Sequence, residues 1–193
     1  MYRVRNNVIQ VVSKVMYGVA ALTVATSGIA ADCDPCTIPV IFTGTYLAET
    51  CEVSINNGTE KKAIFLPTIS VQHLQQNSNE SGSQIFNITL KNCPVDKSID
   101  LHFSSGDIPA DSTTGNLTNK KEEGHSRNVQ IRLRKYSGEQ MIVNDDSSYQ
   151  RYLIPKSGAL ETHYFTASYY AKGNGRVTSG KVETLSAINL SYN

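Results

Sequence analysis

The chain has 193 residues, and its 18 Lys and Arg against 17 Asp and Glu leave a formal net charge of +1. So even a balance gives no electrostatic basis for binding nucleic acid or anionic lipid, and it excludes partners recruited by charge alone. The chain holds four cysteines and no tryptophan.

The N-terminus reads as an export signal. Arg3, Arg5 and Lys14 precede an apolar run from Val15 to about Ala25, and the small residues Gly28 and Ala30 follow at the spacing signal peptidase requires. This predicts a signal peptide over residues 1–30, cleaved after Ala30 or Ala31. An uncharged run of about ten residues is too short for a membrane span, which takes roughly twenty. Removing the signal leaves about 160 residues, enough for one domain with a core of its own. Export places Cys33, Cys36, Cys51 and Cys93 in an oxidising compartment where disulfides persist, and four cysteines permit three pairings.

After the signal comes DCDPCTIPVIFTG, residues 32–44. Here a C-x-x-C frame is followed by Ile38, Val40, Phe42 and Gly44 on every second position. That alternation predicts a strand. Were residues 33–36 extended too, the two Cα atoms would lie about 10 Å apart, beyond the roughly 7 Å a disulfide tolerates. Pro35 favours a turn instead, so Cys33 and Cys36 are expected to close a small loop, with the strand beginning near Thr37. Redox catalysis by this pair lacks support. Reactive C-x-x-C pairs sit at a helix N-terminus in a βαβ setting, and the adjacent aspartates Asp32 and Asp34 would raise a thiol pKa rather than lower it. Zinc needs four ligands, and no second Cys/His pair lies at ligand spacing. No metal, no cofactor and no enzymatic activity are predicted.

Beyond this point period-two alternation recurs and helical periodicity does not. SQIFNITLKNC sets Phe86, Ile88 and Leu90 against Ile85, Asn87 and Thr89. Leu101 and Phe103 alternate with His102, and NVQIRLRKYSG sets Val129, Ile131 and Leu133 against Gln130, Arg132 and Arg134. THYFTASYYAKG carries aromatic and β-branched residues suited to a pleated surface. The aromatics Tyr164, Phe165, Tyr169 and Tyr170 are expected to pack a sandwich core and its edge rather than line a sugar site. Turn residues separate the runs at Asn56–Gly58, Ser104–Asp107, Ser137–Gly138, Asn144–Asp146 and Lys172–Gly175. The polar stretch from Gly106 to Ser126 reads as a long surface loop that does not touch the core. The chain ends on Ile188, Leu190 and Tyr192 in strict alternation, so a strand runs to its last residues, where most domains fray. Short strands at this spacing predict an all-β sandwich or barrel. The histidines, serines and carboxylates form no catalytic constellation.

FTGTYLAETC, FNITLKNC, NVQIRL and the ending INLSYN resemble the pilin subunits of chaperone–usher fimbriae, the type 1 and P pilus family of Gram-negative bacteria. Phe42 and Gly44 stand before Cys51 as the F-x-G of that family stands before its first core cysteine. Tyr192 is penultimate, and Gly180 is fourteenth from the C-terminus, as in the family. The resemblance implies an incomplete immunoglobulin-like sandwich that lacks its last strand, with a Cys51–Cys93 disulfide. It implies a pilin domain over residues 42–193 and a donor-strand extension over residues 31–41, the donor being centred on Ile38, Val40, Phe42 and Gly44. The C-terminal strand with Gly180, Ile188, Leu190 and Tyr192 is then the segment a periplasmic chaperone grips and the flank of the groove. Expected partners are identical or related pilin subunits in a head-to-tail polymer, the chaperone and an outer-membrane usher. The expected destination is a cell-surface fimbrium, reached through the periplasm. A minor adaptor or tip-proximal subunit is the nearest alternative. A free secreted carbohydrate-binding sandwich is the alternative of another class.

Overall fold

The computed structural model describes residues 50–58 and 62–193. Among them lie ten strands: β1 (Glu52–Ile55), β2 (Glu80–Lys91), β3 (Lys97–Ser105), β4 (Ala110–Asp111), β5 (Asn116–Thr118), β6 (Val129–Lys135), β7 (Gln140–Met141), β8 (Gln150–Ile154), β9 (Glu161–Ala171) and β10 (Ser186–Tyr192). One 3-10 turn, Val71–Leu74, is capped by the Ser70 hydroxyl, which accepts from the Gln72 amide. The chain is all-β, as its alternation predicts.

The strands form two antiparallel sheets. The larger runs β1-β2-β9-β6-β5-β4, with β7 also paired to β6, and the smaller runs β10-β3-β8. Alternation decides which side chains enter the space between them. From β2 these are Phe86, Ile88 and Leu90, from β3 Ile99, Leu101 and Phe103, from β6 Ile131 and Leu133, and from β9 Phe165 and Ala167, all in one core. Phe165 sits at its centre, stacked on Phe86 at 5.6 Å between ring centroids and edge-on to Phe103 at 5.5 Å. Offset and edge-on pairs of this kind add to what burial alone contributes.

The polar stretch from Gly106 to Ser126 is not a loop clear of the core. It contains β4 and β5, with β5 paired to β6 through Leu117↔Ile131, and Leu117 lies in the core. The polar residues that made it look like a loop satisfy one another. Asn116 is fully buried and donates to the Gln130 side chain at 2.9 Å, while its own carbonyl accepts from Arg132 Nε at 3.0 Å and Gln140 Nε2 at 3.1 Å. Arg132 and Arg134 both reach Glu80, which also accepts from the Ser168 hydroxyl. Buried polar groups linked in this way are tolerated because none is left without a partner.

The aromatic set of β9 is split by its alternation. Phe165 is fully buried, Tyr170 is buried beneath the Arg132 guanidinium, 3.8 Å from the ring centroid, and Tyr164 is exposed. The four do not form one exposed row.

Candidate functional site

The site is the seam between the two sheets along β10 and β1. β10 pairs with β3 along its whole length, from Ser186↔Ser105 to Tyr192↔Ile99. On its other side no strand pairs with it among the described residues. β1 is the corresponding edge of the larger sheet, paired among the described residues only to β2. The two edges meet at one end, where the Cys51 amide donates to the Tyr192 hydroxyl at 2.9 Å.

Alternation in β10 turns Ile188, Leu190 and Tyr192 inward and leaves Ala187, Asn189 and Ser191 exposed. The inward three pack on the core yet stay only partly buried. Val53, Ile64, Leu66 and Val182 are in the same condition. A strip of core bordered by two strand edges without partners among the described residues is the arrangement that invites another strand, through backbone hydrogen bonds and alternate side chains. Ile188, Leu190 and Tyr192 were legible in the sequence. Val53, Ile64 and Leu66 were not singled out there. The alternation of Ile64 and Leu66 around Phe65, which is 83% exposed, was the available signal.

A strap delivers the chain into β10, and Gly180 is its tightest point. Gly180 has φ +151°, and a Cβ placed there would stand 2.5 Å from the Ser126 amide nitrogen and 2.7 Å from the His125 carbonyl carbon. Only glycine lets the two backbones approach so closely. The strap is then tied down along its length. The Ser126 amide donates to the Lys181 carbonyl at 2.9 Å, and Asn119 accepts from the Glu183 amide while donating to the carbonyls of Ser126 and Lys181. Hydrogen bonds from Lys120 and Lys181 hold the Glu183 carboxyl at a pKa of about 2.

Cys51 and Cys93 are joined by a disulfide across 42 positions of sequence. A closed loop of this size stabilises by about 4 kcal/mol in the chain-entropy account. The bridge fixes the start of β1 to the end of β2, so the wall opposite β10 is covalently anchored. Cys33, Cys36, Ile38, Val40, Phe42 and Gly44, expected to form the terminal loop and the donor strand, lie outside the described residues.

The comparisons with known proteins give the family and the fold. A family model described as "Fimbrial protein" matches residues 40–193. The chain is similar to the Fimbrial protein FimX of Bordetella pertussis, 25% identical over 177 residues, which covers 79% of this chain and 87% of that one. It is similar also to the F17 fimbrial protein of Escherichia coli, 29% identical over 162 residues, covering 79% and 86%. Among solved structures the P pilus rod subunit PapA superposes with a TM-score of 0.58 at 17% identity, covering 74% of this chain and 99% of that one. A chaperone–usher pilus subunit gives 0.57 at 19% identity, covering 81% and 99%. The fold is thus the immunoglobulin-like sandwich of these pilins. The chain belongs to the fimbrial protein family, whose members are structural subunits of cell-surface fimbriae and not enzymes.

Proposed function

We propose that this subunit polymerises by donor-strand exchange: the groove between β10 and β1 accepts the N-terminal extension of the next subunit, and its own extension, centred on Ile38 and Val40, fills the groove of another. The observation that carries this reading is the partly buried row Ile188, Leu190 and Tyr192 along a β10 edge with no strand partner among the described residues. Head-to-tail contacts of this kind do not close on themselves, so they extend into a filament. Three or four large donor side chains entering the strip would contribute on the order of 5 to 10 kcal/mol before ordering costs. Before polymerisation the same edge would be covered in the periplasm by a chaperone strand gripping residues from Gly180 onward, and released at an outer-membrane usher. The finished fimbria would serve adhesion.

The test is thermal unfolding of a chain beginning at Phe42, with and without a synthetic peptide spanning Ala31 to Thr43. A ligand that binds only the folded state raises the midpoint. The expected result is a rise of many degrees that disappears when Ile38 and Val40 of the peptide are both changed to Asp. No rise, in a chain already stable alone, would mean a self-complete sandwich and would favour a secreted binding module.

A further inference from the structure

We propose that Tyr192 is a positioning residue for strand uptake: its hydroxyl ties β10 to the facing wall and holds the groove at the width an incoming strand requires. The proposal rests on the strand-acceptor reading above and adds a residue-level cause to it.

The bond from the Cys51 amide to the Tyr192 hydroxyl, 2.9 Å long, joins positions 141 residues apart. It is the one hydrogen bond between β10 and the β1 wall among the described residues. Both of its ends are fixed. Cys51 is covalently held to Cys93 at the end of β2. Tyr192 pairs with Ile99, and the next residue is doubly held: the Asn193 amide donates to the Ser98 carbonyl at 2.9 Å and its side-chain amide to Asp100, also at 2.9 Å. The brace therefore spans two anchored points rather than two loose ones.

The residue type matters as well. Ile188 and Leu190, the other inward residues of β10 that pack on the core, have no polar atom to offer the opposite wall. Tyrosine presents an apolar ring to the core and a polar tip to the Cys51 amide, doing both from one position. Without the tip, β10 would be held from the β3 side alone along the groove, and each binding event would also have to order the edge. Holding that edge in place beforehand removes the ordering cost from the binding step.

The experiment uses the mature chain with its Cys51–Cys93 disulfide intact, and a fluorescent peptide of residues 31–43 carrying Cys33→Ser and Cys36→Ser. Tyr192→Phe keeps the ring and deletes the hydroxyl. The expected result is peptide release about fivefold faster, the scale of one net hydrogen bond, together with faster hydrogen exchange at the Cys51 amide. Tyr152→Phe serves as the control. It deletes another tyrosine hydrogen bond, from the Tyr152 hydroxyl of β8 to the Ile88 carbonyl at 3.1 Å, one that does not join β10 to the β1 wall, and should leave release unchanged. Equal residence times for the unmodified chain and Tyr192→Phe would overturn the brace while leaving the groove standing. Equal acceleration by both variants would reduce Tyr192 to a general stabiliser and overturn it too. Failure of the unmodified chain to bind the peptide would remove the strand-acceptor reading itself.

Discussion

β8 and β10 flank the same central strand, β3, and yet the core beneath them is finished in different ways. Under β8 the inward side chains Tyr152 and Ile154 are 0% and 4% exposed, and the Tyr152 hydroxyl has its partner in the Ile88 carbonyl. Burial pushes that phenol above its usual pKa, and its ring packs edge-on to His163 at 4.4 Å. The strand is five residues long, is followed at once by Pro155 and carries Arg151 on its outer face. Short length, proline and charge are the usual protections of an edge that must not pair. β10 has none of them: its seven residues include no charge and no proline, and its inward residues are only partly buried. One edge of the small sheet is a boundary. The other has no strand partner among the described residues.

The largest expected effect tests whether the two sides really differ in closure. Tyr152→Ala, beneath β8, should cost about 3–5 kcal/mol of folding stability, whereas Leu190→Ala, beneath β10, should cost less, about 1 kcal/mol in the isolated chain, because Leu190 is only partly buried there. Denaturant unfolding of both variants decides the matter, and equal costs would mean that β10 seals its core as β8 does. A middle-sized effect concerns how β10 is delivered. Gly180→Ala would drive a Cβ against the Ser126 backbone, and the strain should cost about 2 kcal/mol. Hydrogen exchange should then rise in Gly180–Tyr192 and leave β8 protected. A rise of equal size in both strands would show that the strap supports the whole sandwich.

The smallest effect is electrostatic and belongs to the β8 side. The Arg151 guanidinium grips both oxygens of Asp100, at 2.7 and 2.8 Å, and holds that carboxyl below its ordinary value of 3.8 in spite of partial desolvation. A carboxylate with a depressed pKa in the folded state contributes stability that is present above the unfolded value. That stability is lost as pH falls below about 3.8 and through the folded value. Asp100→Asn should therefore lower stability at pH 7 and flatten the acid limb below pH 4, so that the two stability–pH profiles converge at low pH. An unchanged acid limb would leave the pair without a role in fastening β8 to β3.

Much of this was legible in the chain. Phe86, Ile88 and Leu90, Val129, Ile131 and Leu133, and Ile188, Leu190 and Tyr192 announced strands because a half-buried strand must alternate. The hairpin β4–β5 was not legible, because Asn116, Gln130 and Asp111 look like loop residues when their partners are unknown. Asp111 shows the cause. Burial would raise its carboxyl, but a Lys172 ammonium far along the chain and the amides of Thr113 and Thr114 bring it to about 2. A stretch whose polar groups are satisfied from Arg132, Gln140 and Lys172 carries no local sign that it is ordered. β1 escaped for another reason: four residues, Glu52–Ile55, are too few to establish a period.

By itself the sequence determined the all-β class, the inward and outward faces of the long strands and an ordered C-terminal strand, since each follows from side-chain period and needs no knowledge of neighbours. Only the tertiary structure decided that β10 pairs with β3 on one side and has no other strand partner among the described residues, and that Tyr192 reaches the Cys51 amide. It also gave the reason residue 180 must be glycine. Those facts depend on which segments become neighbours across about 54 to 141 positions of chain, and pairing at that range is set by how the whole core closes, which no local pattern records.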